Sequence, residues 1–343
     1  ACRTSCAESR AGKATCRSGQ IATPADHRYM AAAIALAERG VGRTGNNPSV
    51  GCVIVQNDII VGRGWTQDGG RPHAEASALA QAGAKATGAT IYVTLEPCAH
   101  QSDRGPACAQ LLRDAQPARV VGGLTDPDPR TAGQGFALLR EAGIEVDNGV
   151  MASEVRAQLA GFFSRLEKAR PFVTLKMATS LDGQIAMANG QSRWITGDAA
   201  RAHAHIARAR CDAILVGAGT VRIDAPSLDV RIAGLEKYSP RKIMMGRGDA
   251  PQGWEVLRSL DDLGSLACNT LLVEGGAVTA SAFLRAGLVD RLLLYRAPIL
   301  IGSGTACLGD IGLNDLDAAH GRWQISTSRR LGKDSIEVYD AVT

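Results

Sequence analysis

The chain has 343 residues, of which 45% are hydrophobic, 21% are charged and only 4% are aromatic, and its formal net charge is +4. This length predicts about two domains with ordinary buried cores. Scattered cations and few aromatic rings argue against a nucleic-acid interface, and no apolar run reaches the length of a membrane span. The cysteines lack the spacing of a disulfide framework, and this favours a reducing, cytoplasmic location.

Residues 1–22 are set apart by their composition. Three cysteines, Cys2, Cys6 and Cys16, lie there among Arg, Ser, Ala and Gly, with little that could form a core. We expect a disordered or artefactual extension, and a transit peptide stays open as the alternative.

The first half alternates helical and strand patterns. Helices are predicted over 24–40, 73–82 and from Cys108 onward, a hairpin over 50–55 and 59–65, and strands over 91–95 and 119–124. The order helix, hairpin, helix, strand, helix, strand indicates a three-layer α/β sandwich over residues 23–150.

Three metal-ligand side chains lie at the element junctions of this half. His73, Cys98 and Cys108 can fill three positions of a tetrahedral zinc site and leave the fourth for a water. Glu75 lies two residues from His73 and is not needed as a ligand, so it can move a proton of that water. The set predicts a zinc-dependent nucleobase deaminase, with a purely structural zinc as the alternative.

A helix predicted over 153–169, capped by Ser153, links the halves, and we place the linker at 151–170 and the second domain at 171–343. Strands over 172–177, 213–216, 242–245, 271–273 and 291–295 are interleaved with helices, which indicates a mostly parallel sheet with a ligand crevice at the carboxyl ends of its strands. Glycine turns after two of these strands let a backbone approach a phosphate, although tight turning alone also explains them.

The motifs resemble those of the bifunctional riboflavin-biosynthesis deaminase–reductases. In the first half these are NPSVGC (47–52), PHAE (72–75), TLEPCAH (94–100) and the later Cys108; in the second they are TLKMATSLDGQIA (174–186), VGAGTVRIDAPSLDVR (216–231) and LLVEGG (271–276). The resemblance implies a cytidine-deaminase-like three-layer sandwich followed by an α/β domain similar to dihydrofolate reductases, and an assembly into homodimers or homotetramers.

The same resemblance implies the chemistry. The first domain would hydrolytically deaminate 2,5-diamino-6-ribosylamino-pyrimidinone 5′-phosphate, with zinc on His73, Cys98 and Cys108 and with Glu75 as proton shuttle. The second would use NADPH to reduce the ribosyl group to a ribityl chain.

It also implies the binding residues. Those of the deaminase substrate are Asn47, His100 and Arg104; those of the reductase substrate are Lys176, Ser192, Arg208, Leu228, Arg231 and Glu274; those of NADPH are Ala178, Trp194, Thr220, Asp224 and Gly276.

Some positions depart from the family pattern. One extra residue separates Cys98 from Cys108, Thr66 replaces a frequent histidine, and Gly246-Arg247 replaces Asp-Ser in a segment that is short up to Leu271. The short segment leaves open a deaminase whose second domain is degenerate. A tRNA or nucleoside deaminase is the other alternative, because the same His-Ala-Glu motif would serve it.

Overall fold

The computed structural model describes residues 22–100 and 105–342, so the predicted extension, Ala22 excepted, and Arg104 lie outside the described residues. The first half contains helices α1 (Pro24–Ala37), α2 (Ala74–Ala82), α3 (Cys108–Ala115) and α4 (Gln134–Glu141), and strands β1 (Gly51–Gln56), β2 (Ile59–Trp65), β3 (Thr90–Leu95), β4 (Arg119–Leu124) and β5 (Glu145–Asn148).

The first sheet has the strand order β2-β1-β3-β4-β5, antiparallel from β2 to β3 and parallel from β3 to β5. Asn57 and Asp58 turn the hairpin with positive φ angles of 50° and 60°, as a tight two-residue turn requires. A Cβ on Gly51 would collide with α1, and one on Gly64 with α2. Gly64 pairs with Cys52, so these glycines face opposite sides of the sheet, and the predicted three-layer sandwich is confirmed.

The second half contains helices α5 (Ala152–Gln158), α6 (Ala160–Glu167), α7 (Asp198–Ala209), α8 (Ala218–Asp224) and α9 (Ala277–Arg285), and strands β6 (Phe172–Thr179), β7 (Gln184–Met187), β8 (Ala213–Gly217), β9 (Arg241–Met245), β10 (Glu255–Leu257), β11 (Thr270–Val273), β12 (Arg291–Arg296), β13 (Gly304–Ala306), β14 (Trp323–Leu331) and β15 (Asp334–Ala341).

The second sheet has the order β10-β9-β8-β11-β6-β12-β15-β14 and is parallel from β10 to β12, which confirms the predicted mostly parallel sheet. The β14–β15 hairpin closes one edge with antiparallel pairing, and β7 pairs separately with β13. The segment before Leu271 that is short in sequence still supplies an edge strand, β10, and a 3-10 helix, Leu260–Ser265.

The linker differs from the prediction of one helix. It breaks at Leu159 into α5 and α6 because the first packs against β4 and the second against β6, and one straight helix cannot bury its apolar face on both sheets. Ser153 is not the cap: Met151, at φ 54°, precedes α5, and the Ser153 hydroxyl donates to Glu154 instead.

Polar contacts fix the linker and join the halves. Asp290 is buried and accepts hydrogen bonds from Lys168 at 2.9 Å, from Arg170 at 2.6 Å and from the Val173 backbone at 2.9 Å. The Asn269 amide donates across to the Gly45 carbonyl at 3.1 Å. Within 22–100 and 105–342, no helix is both long and apolar enough to cross a membrane.

Candidate active sites

Three metal-ligand side chains converge at one end of the first sheet. His73 immediately precedes α2, Cys98 follows β3 and Cys108 begins α3. His73 Nδ1 lies 3.3 Å from Cys108 Sγ and 3.6 Å from Cys98 Sγ, and the ligand atoms all lie within 4.8 Å of one another. Zinc bonds of about 2.0 Å to nitrogen and about 2.3 Å to sulfur, at a tetrahedral angle, separate such atoms by about 3.5 Å. The donor set therefore fits zinc.

The start of α3 also favours a thiolate at Cys98. Hydrogen bonding from the Cys108 thiol and from His73, together with the Cys108 backbone N–H at 3.3 Å, lowers the pKa of Cys98. The hydrogen bond that the Cys108 thiol donates to Cys98, together with burial, raises the pKa of Cys108. Zinc binds cysteine as the thiolate and releases the thiol proton. A thiolate at Cys98 next to a thiol at Cys108 is therefore suited to binding zinc.

Glu75 points toward this cluster from the first turn of α2. Its side chain is buried, and this desolvation raises its pKa to about 7, against the smaller opposing effect of His73. A carboxyl group with a pKa near neutrality can both accept and release a proton under physiological conditions.

Glu96 lies beside this cluster and was not predicted from the sequence. Its carboxylate is buried and accepts four backbone hydrogen bonds, from Asp126 at 3.1 Å, Gly133 at 2.9 Å, Gly135 at 2.9 Å and Phe136 at 3.1 Å. It thus fastens the loop of residues 126–136 to the end of β3, two residues from Cys98. The only local signal was the acidic residue within TLEPC. Its hydrogen-bond donors lie about 30 to 40 residues further along the chain, so the sequence does not identify them.

Two of the predicted deaminase substrate residues, His100 and Asn47, flank this end of the sheet. His100 Nδ1 lies 3.4 Å from the Thr131 hydroxyl in the loop that Glu96 holds. The Asn47 amide packs under Gly70 and donates to the Thr44 carbonyl at 3.2 Å. Arg104 lies outside the part of the chain that the structure describes.

A second pocket, of about 350 Å³, lies at the carboxyl ends of β6, β8 and β11. It brings together predicted residues from both the substrate and the cofactor sets: Lys176, Ala178, Ser192, Trp194, Arg208, Thr220, Asp224, Arg231, Glu274 and Gly276. Leu228 is the exception, because its side chain is buried in a core cluster with Val216 and Leu272, which leaves only its backbone to meet a ligand.

A partly buried ion triad forms one wall of this pocket. Arg208 donates two hydrogen bonds to Glu274, at 2.8 and 2.9 Å, and Lys176 Nζ lies 3.6 Å from the same carboxylate. Burial would raise the pKa of Glu274, but Lys176 and Arg208 outweigh it and lower that pKa to about 2. Glu274 is therefore anionic near neutral pH and holds both cations in place.

Two further residues behind the triad were not predicted. The Tyr295 hydroxyl is hydrogen-bonded to His203 Nδ1 at 2.8 Å, and the Lys176 ammonium lies 5.9 Å from the centre of the Tyr295 ring. Tyr295 is near the end of strand β12 and His203 is in helix α7, and neither has a local sequence signal.

Comparison with known proteins gives matches in both halves. Residues 23–124 match the family model of the cytidine and deoxycytidylate deaminase zinc-binding region, and residues 171–336 match the RibD C-terminal domain. The riboflavin biosynthesis protein RibD of Escherichia coli is 38% identical over 90% of this chain and 97% of its own length, and that of Mycobacterium tuberculosis is 40% identical over 85% and 91%.

Solved structures match along nearly the whole chain. RibD of Acinetobacter baumannii superposes with a TM-score of 0.85 at 36% identity and covers 93% of this chain and 99% of its own. A Thermotoga maritima protein, described as a diaminohydroxyphosphoribosylaminopyrimidine deaminase/5-amino-6-(5-phosphoribosylamino)uracil reductase, superposes with a TM-score of 0.83 at 31% identity over 93% and 99% of the two chains.

Proposed function

The chain belongs to the RibD family of riboflavin-biosynthesis proteins, and from this premise we propose how its residues carry out the two reactions. Its cytidine-deaminase-like first half is a zinc-dependent deaminase, and its dihydrofolate-reductase-like second half is an NADPH-dependent reductase. The first converts 2,5-diamino-6-ribosylamino-pyrimidinone 5′-phosphate to the corresponding uracil, and the second reduces the ribosyl group of that uracil to a ribityl chain.

In the first reaction, His73, Cys98 and Cys108 would hold the zinc ion, which when bound supplies Lewis-acid activation of a water molecule. Glu75 would accept a proton from that water and deliver it to the ring amine as it leaves as ammonia. The observation that carries this assignment is the buried carboxyl group of Glu75 next to a complete set of three zinc donors. His100, Asn47 and Arg104 would orient the pyrimidine and its phosphate-bearing ribose.

In the second reaction, bound NADPH supplies a hydride, and the side chains of the pocket orient the substrate and provide a proton. The Glu274 carboxylate would fix Lys176 and Arg208 against the substrate, and its low pKa makes it unsuitable as a proton donor. Arg231, which is exposed at the rim, would face the phosphate.

Asp224, at the end of α8 on the pocket wall, would be the proton donor. The test is the reductase turnover of Asp224→Asn with the deaminated intermediate supplied directly. Unchanged turnover would exclude the acid role.

We also propose domain boundaries at about 150 and 171, with α5 and α6 as the linker, supported by their packing against different sheets. A zinc–thiolate site needs reduced cysteines, which supports a cytoplasmic location. Assembly into a homodimer or homotetramer and the lack of a nucleic-acid partner remain predictions from the sequence.

The deciding experiment follows ammonia release and NADPH oxidation by the zinc-loaded protein given the diamino-pyrimidinone phosphate, with the product identified by mass. Loss of the amine together with a gain of two hydrogens would establish both activities. Deamination without NADPH oxidation, even when the intermediate is supplied directly, would support the degenerate second domain instead.

A further inference from the structure

A cleft of about 610 Å³ lies where the two halves of the chain meet, outside both sites described above. Arg39, Arg43 and Trp65 line it from the first half, and Arg210 and Tyr238 line it from the second. We call it the arginine cleft.

Two of its guanidinium groups are held over aromatic rings. Arg43 lies 3.6 Å from the centre of the Tyr238 ring, and Arg39 lies 5.0 Å from that of Trp65. Stacking fixes the plane of a guanidinium but leaves the N–H groups at its edge free to donate. The cleft therefore presents oriented donors on a partly aromatic surface.

These two arginines also carry uncompensated charge. The carboxylates lining the cleft are already engaged, Glu38 with Arg210 and Asp68 with Lys237 at 4.0 Å. Among the residues that the structure describes, none places a carboxylate within ion-pair distance of Arg39 or Arg43, and the buried Arg43 Nε lacks a hydrogen-bond partner. Two guanidinium groups without carboxylate partners favour an anionic ligand.

On one side the cleft adjoins the deaminase site. The Gly69 N–H donates to the Arg43 carbonyl at 2.8 Å, and the Gln67 N–H donates to the carbonyl of Pro72, the neighbour of His73, at 3.1 Å. The segment of residues 67–72 thus separates the cleft from the zinc ligands.

On the other side the cleft adjoins the reductase pocket. Helix α7 contributes Ile206 and Ala209 to the cleft and His205 and Arg208 to that pocket. The segment that follows Arg231 reaches the cleft at Leu235 and Tyr238. The same two elements therefore line both cavities.

We propose that the arginine cleft binds the phosphate group of the deaminated intermediate while it passes from the first site to the second. A phosphate monoester carries a charge of about −1.5 to −2 at neutral pH, which matches two unpaired guanidinium groups. The planar pyrimidine ring of the intermediate suits a surface that includes Trp65. This inference rests on the proposed function, since it requires both reactions to occur on one chain.

The test is an isotope-dilution experiment on the full-length, zinc-loaded protein. Labelled diamino-pyrimidinone phosphate is converted in the presence of NADPH and a large excess of unlabelled deaminated intermediate, and the label in the first reduced product is measured by mass. Retention at the cleft gives the wild type more label than the free pool contains. Loss of hydrogen bonds to a charged group weakens binding by about tenfold or more, so Arg39→Gln/Arg43→Gln should lower the label to that of the pool.

Arg28→Gln/Arg156→Gln is the matched control, because these arginines also lie over aromatic rings, at 4.5 and 4.4 Å, but outside the cleft. It should keep the wild-type label. If the double cleft variant does not fold, Arg39→Gln alone carries the test, since Arg39 is exposed, and it should lower the label.

Wild-type product with only the label of the pool would refute the proposal, as would a folded cleft variant that keeps the wild-type label. Each reaction is also measured alone, where the cleft variant should retain turnover within about twofold, since it alters no residue of either site. Absence of either single reaction in the wild type would instead contradict the proposed function.

Discussion

Replacing Glu96 by glutamine should loosen the loop of residues 126–136. One carboxylate oxygen accepts from Gly135 and Phe136, and the other accepts from Asp126 and Gly133. The glutamine oxygen can still accept the hydrogen bonds of one pair of N–H donors. Its amide NH₂ group must then face the other pair, so two hydrogen bonds to a charged group are lost. Each is worth about 1.5–3 kcal/mol, and we expect a loss of about 3–6 kcal/mol in the free energy of unfolding.

For chain halves of this size, 1 kcal/mol corresponds to about 2–4 °C in Tm, so the first half of Glu96→Gln should melt roughly 6 to 24 °C lower than in the wild type. The loop carries Thr131, which contacts His100, so the KM of deamination should rise as well. Thermal unfolding and deaminase kinetics measure the two effects.

Glu145→Gln is the control, because Glu145 is an exposed glutamate in the same half, and it should change stability by less than about 0.5 kcal/mol. A Glu96→Gln protein that melts within about 2 °C of the wild type, with unchanged deaminase KM, would show that the carboxylate does not anchor the loop.

Three further outcomes are expected. Cys108→Ser should lose bound zinc, measured by atomic absorption, and deamination, while NADPH oxidation with supplied intermediate persists; loss of both reactions would contradict separate sites. Glu75→Gln should keep its zinc content but lower the kcat of deamination by about 10²–10⁴, and a smaller loss would argue against its role in proton transfer. Burial would raise the pKa of Glu274, but Lys176 and Arg208 lower it from 4.5 to about 2, so its ionised form stabilises the fold. The stability difference between the wild type and Glu274→Gln should be full above pH 4.5 and shrink as the pH falls through about 2, as measured by urea unfolding at several pH values, and a pH-independent difference would refute this linkage.

The parts of the molecule that could be predicted are those specified by residues close together in sequence. The hairpin turn at Asn57-Asp58 and the junction positions of His73, Cys98 and Cys108 depend on local spacing, and the structure brings these three side chains together as expected. The mostly parallel second sheet followed from apolar strands interleaved with helices.

The parts that were missed depend on contacts between distant residues. Glu96 acts through donors that lie in another loop, and the hydrogen bond between His203 and Tyr295 joins a helix to a strand. The break at Leu159 arises because two sheets compete for one amphipathic pattern. Strand β14 has exposed side chains on both faces, so it lacks the alternation that signals a half-buried strand.

The strand order also bears on how the protein is made on the ribosome. Every strand of the first sheet has been synthesised by Asn148, so this half can fold and collect its metal early. Strand β6 emerges next, but its neighbours β11 and β12 start only at Thr270 and Arg291. Until then the apolar side chains of β6, Val173 and Leu175, lack their sheet partners. Pairings between such distant segments form slowly, and unpaired apolar strands aggregate, so the reductase half is the part of the nascent chain that most needs protection by chaperones.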